Sequence, residues 1–211
     1  MTIGTKDEIR FSVLATDSVV FGLLNGELKV LLVEVDNPKL LGKWATPGGL
    51  VKPEQKMHEA MLGKVSEEVS VDKMYWEQVE TFGDPGRDPG GRVVSVCYLG
   101  LLSPDSLSLK TDKASWFSLL DLPELAYDGK KMIEVSLNHL KMKLEYSDLI
   151  SKLMSDEFTL SELQKTYELV LGRGLDKRNF RKKIKTLEIV KPLGRKKKGE
   201  AYRPAELYGF I

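Results

Sequence analysis

The sequence predicts an α+β fold in two units, residues 1–145 and 146–211, and three observations point to it. Strand-like runs rich in Val and Leu bracket a helical stripe in the first unit. The second unit reads helix, helix, helix, strand, turn, strand. The charge divides at nearly the same place. The 211 residues carry 32 Lys and Arg against 31 Asp and Glu, a net +1, yet residues 172–205 alone balance at +10 and residues 1–171 at −8. A split that sharp implies two units with different partners. At 42% hydrophobic and 30% charged residues, the composition is globular and excludes the disordered, fibrous and disulfide-dense classes.

Residues 11–35 hold two strands, FSVLATDSVVFGLL and LKVLLVEV, separated by Asn25-Gly26, a dipeptide suited to the left-handed angles of a tight hairpin. Residues 55–69 form a helix, with Met57, Met61, Val65 and Val69 on one stripe. A third strand follows at 92–102. It contains Cys97, which reads as a small buried hydrophobe; a single cysteine forms no intramolecular disulfide and fits a reducing compartment. After Pro123, residues 129–144 form a second helix with Met132, Ile133, Leu137, Leu140 and Leu144 as its apolar face. No apolar stretch reaches the ~20 residues of a membrane span, and the first residues lack a basic segment followed by an apolar one. The expectation is a cytoplasmic protein with no membrane partner.

Two loops stand out. Residues 42–50 (GKWATPGGL) lead into the first helix, and residues 83–92 (GDPGRDPGGR) precede the third strand. Their glycines allow close approach of backbone to a ligand, helix N-terminal amides can hold a phosphate, and Arg87 and Arg92 can pair with one. Each loop, taken alone, also reads as a simple turn.

In the second unit, residues 146–170 are helical in pattern, with Leu149, Ile150, Leu153 and Met154 on one stripe. Thr159 with Glu162 three residues on is a capping box that starts a helix through Leu171, and Gly172 and Gly174 end it. Asp176 caps a third helix to about Leu187. Phe180, Ile184 and Leu187 face inward, Arg178, Lys182 and Lys185 lie opposite, and Arg181 flanks them. Then come Ile189-Val190, a basic turn over 192–199 and a last strand. This is the order of a winged helix-turn-helix, whose third helix enters the major groove and whose wing touches phosphate. Double-stranded DNA is therefore assigned to Lys177, Arg178, Asn179, Arg181, Lys182 and Lys185 of the helix and to Arg195, Lys196, Lys197, Lys198 and Arg203 of the wing. Arg178, Asn179, Arg181 and Lys182 suit base edges, and the wing residues suit phosphate. The third helix lacks the exposed aromatics that an RNA partner would use.

The run from Gly49 to Val71, GLVKPEQKMHEAMLGKVSEEVSV, resembles the Nudix box, with Lys43-Trp44-x-x-Pro47-Gly48-Gly49 as its lead-in. Gly49, Val65, Glu67, Glu68 and Val71 set the register. The resemblance implies an α/β/α sandwich with a mixed sheet and, in active members, hydrolysis of nucleoside diphosphates by Mg²⁺ held on glutamates. Here Gln55, Gly63, Lys64 and Ser70 stand where that pattern has Glu, Arg, Glu and Gly. Lys64, one turn from Glu68, puts an ammonium at a metal-ligand position and predicts a Lys64–Glu68 ion pair. No catalytic residue is assigned and no metal is required. The alternative is a hydrolase of ADP-ribose or a related nucleoside diphosphate, in which Glu67 and Glu68, with Glu59 or Glu54, hold one Mg²⁺.

Together the units resemble the Nudix-related transcriptional regulators, the NrtR family of bacterial repressors of NAD metabolism and a sister group that responds to sugars. The carrying pieces are GDPGRDPGGRVVSV at 83–96, Trp116-Phe117, Leu125-Ala126-Tyr127-Asp128, LDKRNFRKKI at 175–184 and RPAELY at 203–208. Gly129 stands where the resemblance leads one to expect His. The resemblance implies a homodimer on a palindromic operator, released by a small effector, typically ADP-ribose or a related nucleotide. Gly48, Gly49, Glu67, Glu68, Asp84, Arg87 and Arg92 are then the effector-binding residues.

Overall fold

A computed structural model describes residues 12–197 and 204–211. Strands β1 (Val13–Leu24) and β2 (Glu27–Glu34) make the expected hairpin. Its two turn residues, Asn25 (φ 53°) and Gly26 (φ 76°), both take left-handed angles, the pairing whose twist matches that of the strands. Short strands β3 (Trp44–Ala45) and β4 (Gly48–Leu50) come next, and then helix α1 (Met57–Glu68). Strands β5 (Tyr75–Phe82), β6 (Val93–Leu102) and β7 (Ala114–Ser118) complete a seven-stranded sheet before helix α2 (Gly129–Lys143). β1 runs parallel to β6 and the other pairings are antiparallel, so the sheet is mixed.

Alternation along β1 decides the layers. Val19 and Phe21 point into a core shared with Met132, Ile133 and Leu140 of α2, while Val20 points into one shared with Met61 and Val65 of α1. One helix thus covers each face. The thiol of Cys97 lies in the α2-side core, near the Ser136 hydroxyl, and burial pushes it up to about 12. β5 and β7 were not expected from the sequence. β5, YWEQVETF, is an edge strand in which Glu77, Gln78, Glu80 and Thr81 interrupt the apolar residues, so it lacks the apolar density that marks β6.

β1 is paired along its first half by β4 (Ala15 to Asp17 against Leu50 to Gly48) and along its second by β2 (Phe21 to Leu24 against Val30 to Glu27). The sheet therefore forks on one edge of β1, and the fork opens a cleft.

The C-terminal unit departs from expectation at its start. Leu149–Leu153 is a five-residue 3-10 helix, not an α-helix, although Leu149, Ile150 and Leu153 are buried as the stripe required. A segment that short gains too few bonds to offset α-helix nucleation. The chain then extends, and Phe158 exchanges two backbone hydrogen bonds with Tyr208 (3.0 and 2.7 Å). Helices α3 (Leu160–Leu171) and α4 (Lys177–Leu187) and strands β8 (Val190–Lys196) and β9 (Glu206–Phe210) follow. Both halves of the capping box form at Thr159 and Glu162, and Gly172 closes α3 at φ 69°. Leu163, Tyr167, Phe180 and Ile184 share one core with Leu140 of α2 and with Leu144, its C-cap residue, so the apolar interior is continuous between the units. Among the described residues no helix is long and apolar enough to cross a membrane.

Candidate effector cleft and nucleic-acid interface

The fork holds a cleft of about 470 Å³, lined by β1, the end of β2, β4 and the loop that carries Arg87. Its floor explains the paired glycines. A Cβ on Gly48 would collide with the Asp17 carboxylate and come within 2.6 Å of the Thr16 carbonyl, and one on Gly49 would meet the Lys64 stem at 3.0 Å.

Asp17, the one ionisable residue of β1, anchors the base of the cleft. Its carboxylate accepts from Ser95 Oγ at 2.5 Å and Thr46 Oγ1 at 3.4 Å, and Arg87 stands 3.5 Å away. Burial nevertheless dominates and pushes the Asp17 carboxyl above the ordinary range. Arg87, its side chain 3% exposed, also donates from Nε to Asp128 Oδ2 at 2.5 Å. Asp128 is the N-cap residue of α2, and Tyr127 before it lines the cleft at φ 51°, an unusual angle for an aromatic residue.

Of the effector residues expected from sequence, Gly48, Gly49 and Arg87 line the cleft and the other four do not. Asp84 is exposed and faces Lys131 at 3.9 Å. Arg92 donates to the Gly83 carbonyl at 2.6 Å and closes the neck of its own loop. Glu67 is bound by Lys64 at 2.9 and 3.1 Å. Glu68 accepts from the Thr111 hydroxyl, which is why the expected Lys64–Glu68 pair is replaced by Lys64–Glu67. Asp17, Thr46, Ser95, Tyr127 and Asp128 belong to this site without an effector role expected from sequence, although all but Asp17 fall in stretches singled out there. A lone acid inside the apolar run VLATDSVVFGLL was the available signal for Asp17.

The donor set does not fit Mg²⁺. Lys64 places its ammonium on Glu67, Glu68 is engaged elsewhere, and no cluster of three or more metal-ligating side chains occurs among the described residues.

The second site is the outer face of α4. Phe180 and Ile184 are buried and fix the helix, while Lys177, Arg178, Asn179, Arg181, Lys182 and Lys185 are all exposed. The turn before it is tied by hydrogen bonds. Glu168 accepts from the Leu175 amide at 2.8 Å, Gln164 donates to the Leu175 carbonyl at 2.9 Å, and Asp176 caps the helix through the Asn179 amide at 2.8 Å. In the wing, Lys196 is exposed on β8, whereas Arg195 and Lys197 turn back onto the domain body, to Glu157 and Glu162, each at 2.5 Å. Burial raises the Glu162 carboxyl, but hydrogen bonds from Lys197 and Thr159 outweigh it and hold it below the ordinary range. Lys198 and Arg203 lie outside the described residues.

Comparison with known proteins finds a match for each of the two units. The NUDIX domain family matches residues 14–135, and the NrtR DNA-binding winged helix domain matches residues 150–210. The ADPR responsive transcriptional repressor NtrR of Acinetobacter baylyi is 32% identical over 97% of this chain and 84% of its own length. NrtR of Shewanella oneidensis, solved with a 27mer DNA, superposes with a TM-score of 0.82 at 32% identity, covering 94% of this chain and 93% of that one. Its NUDIX domain, solved with ADP ribose, gives a TM-score of 0.56 at 30% identity, covering 65% and 94%. A Nudix fold continuous with a cationic winged helix, matched along nearly its whole length by such proteins, places this chain in the Nudix family, as a member carrying the NrtR-type DNA-binding domain.

Proposed function

We propose that the protein is a transcriptional repressor that holds operator DNA as a homodimer through α4 and the wing, and that it lets go when a small nucleotide or sugar effector, ADP-ribose foremost, enters the cleft. The carrying observation is α4: six exposed polar and basic side chains spread around the outward side of a helix whose Phe180 and Ile184 are locked into the core. That is the disposition a major-groove reader needs. The DNA and ADP-ribose complexes of Shewanella oneidensis NrtR support both halves of the reading. Because the Nudix-box acids are spoken for by Lys64 and Thr111, the effector acts as ligand rather than substrate, without Mg²⁺. The working compartment is the cytoplasm, where the DNA is.

The test is a binding titration of full-length protein on duplexes selected from a random pool, read by fluorescence anisotropy. Sequence-selective binding should emerge, weaken steeply with salt as counterions are released, and weaken again on adding ADP-ribose. Each of Lys182→Ala and Arg178→Ala should lower affinity, and a phosphate contact among them should reduce the salt slope by about 1. Absence of any selected sequence would refute the reading.

A further inference from the structure

We propose that the Arg87–Asp128 ion pair is a latch that couples occupancy of the cleft to α2 and, through α2, to the DNA-binding domain. The inference rests on the regulatory reading above and names how that same site regulates. Asp128 holds the N-cap position of α2, where an aspartate ordinarily accepts from the first-turn amides. Here its side chain caps nothing, and its backbone (φ −88°, ψ 16°) lies outside the extended region of a capping residue. The carboxylate is taken by Arg87 instead, at 2.5 Å. The open amides that result sit beside Tyr127 at φ 51°.

Among the described residues lining the cleft Arg87 is the one cation, and it is bracketed by two carboxylates. A ligand that brings phosphate oxygens into the cleft must compete for this guanidinium. Asp17 cannot yield, because Ser95 and Thr46 hold its carboxylate and Gly48 lies against it. Asp128 can. Once released, its carboxylate has an alternative partner close at hand in the uncapped N-terminus of α2, which attracts negative charge. Two discrete arrangements follow, Asp128 on Arg87 or Asp128 on the helix, and a ligand shifts their balance by its differential affinity.

α2 carries the change outward. It is one unbroken helix of 15 residues, about 22 Å long at 1.5 Å per residue. Leu140 and Leu144 at its far end share the core with Leu163 and Tyr167 of α3 and with Phe180 of α4. Interiors packed at crystal density pass on a displacement rather than absorb it.

Asp128→Asn tests the latch, because asparagine is as good an N-cap but carries no charge to hold Arg87. Ligand-free D128N should bind operator with the reduced affinity that wild type shows in saturating ADP-ribose. Added ADP-ribose should then change it by less than about two-fold, where coupled sites commonly show 5–150-fold. Hydrogen exchange supplies a second reading: the amides of Lys130 and Lys131 should gain protection when wild type binds ADP-ribose, and should already be protected in ligand-free D128N. A folded D128N that binds DNA like wild type and still releases it with ADP-ribose overturns the latch. So does unchanged exchange at those two amides in ligand-saturated wild type. Wild type that ignores ADP-ribose altogether would instead count against the effector assignment; the latch is then judged on ligand-free D128N, where reduced DNA affinity supports it and undiminished affinity overturns it.

Discussion

Asp17 is the residue at which burial and charge conflict. Burial raises its carboxyl above the unfolded value, against the pull of Ser95, Arg87 and Thr46. The sign follows from proton linkage: from about pH 4 upward the unfolded chain gives up this proton first, so the folded state holds more protons and loses stability as pH rises. The loss is complete above the folded pKa. Asp17→Asn removes the titration and keeps a polar side chain facing Ser95 and Thr46. Its melting temperature should therefore rise relative to wild type between about pH 4 and neutrality. A difference that stays flat or falls across that range would contradict the assignment. The cost is intelligible as preorganisation, since the same carboxylate keeps Arg87 aimed at the cleft.

At the scale of elements, α1 departs from the Nudix-box pattern at Gly63 and Lys64. Gly63 sits within this helix with nothing within 4 Å of where its Cβ would be. Gly63→Ala should stabilise the protein by ~0.5–1 kcal/mol, measured by chemical denaturation, since it restores helix propensity and meets no obstacle. Most elements were legible because local signals agreed with the fold. Asn25-Gly26 marked the hairpin, Thr159 with Glu162 marked α3, and Phe180 with Ile184 marked the buried face of α4. What stayed hidden depends on neighbours distant in sequence. β5 is a strand because β6 offers an edge, and Arg87 points inward because Asp17 and Asp128, 70 residues before and 41 after, converge on it. The wing shows the same dependence on distant neighbours. Composition places Arg195 and Lys197 in a basic run, but it says nothing of Glu157 and Glu162 waiting on the domain body.

For the whole molecule, the opposed charges of the two units orient the approach to DNA. The −8 of residues 1–171 is repelled by phosphate while the +10 of residues 172–205 is drawn in, so the cationic end arrives first. A helix-turn-helix dimer reads two half-sites about one helical turn, ~34 Å, apart. Light scattering on the isolated complex should give two chains per operator duplex, and a single chain on a full-length operator would refute the dimeric arrangement. The parallel pairing of β1 with β6 has a consequence for how the chain comes into being. Val13 lies beside Val93, eighty residues further on. During synthesis the hairpin of β1 and β2 emerges with one edge vacant and cannot close its sheet until β6 has left the ribosome. The winged helix, whose α3, α4, β8 and β9 pair with close neighbours, faces no comparable wait. The effector domain is made first, but its closure is the slower step, and its nascent form is the stage most exposed to aggregation.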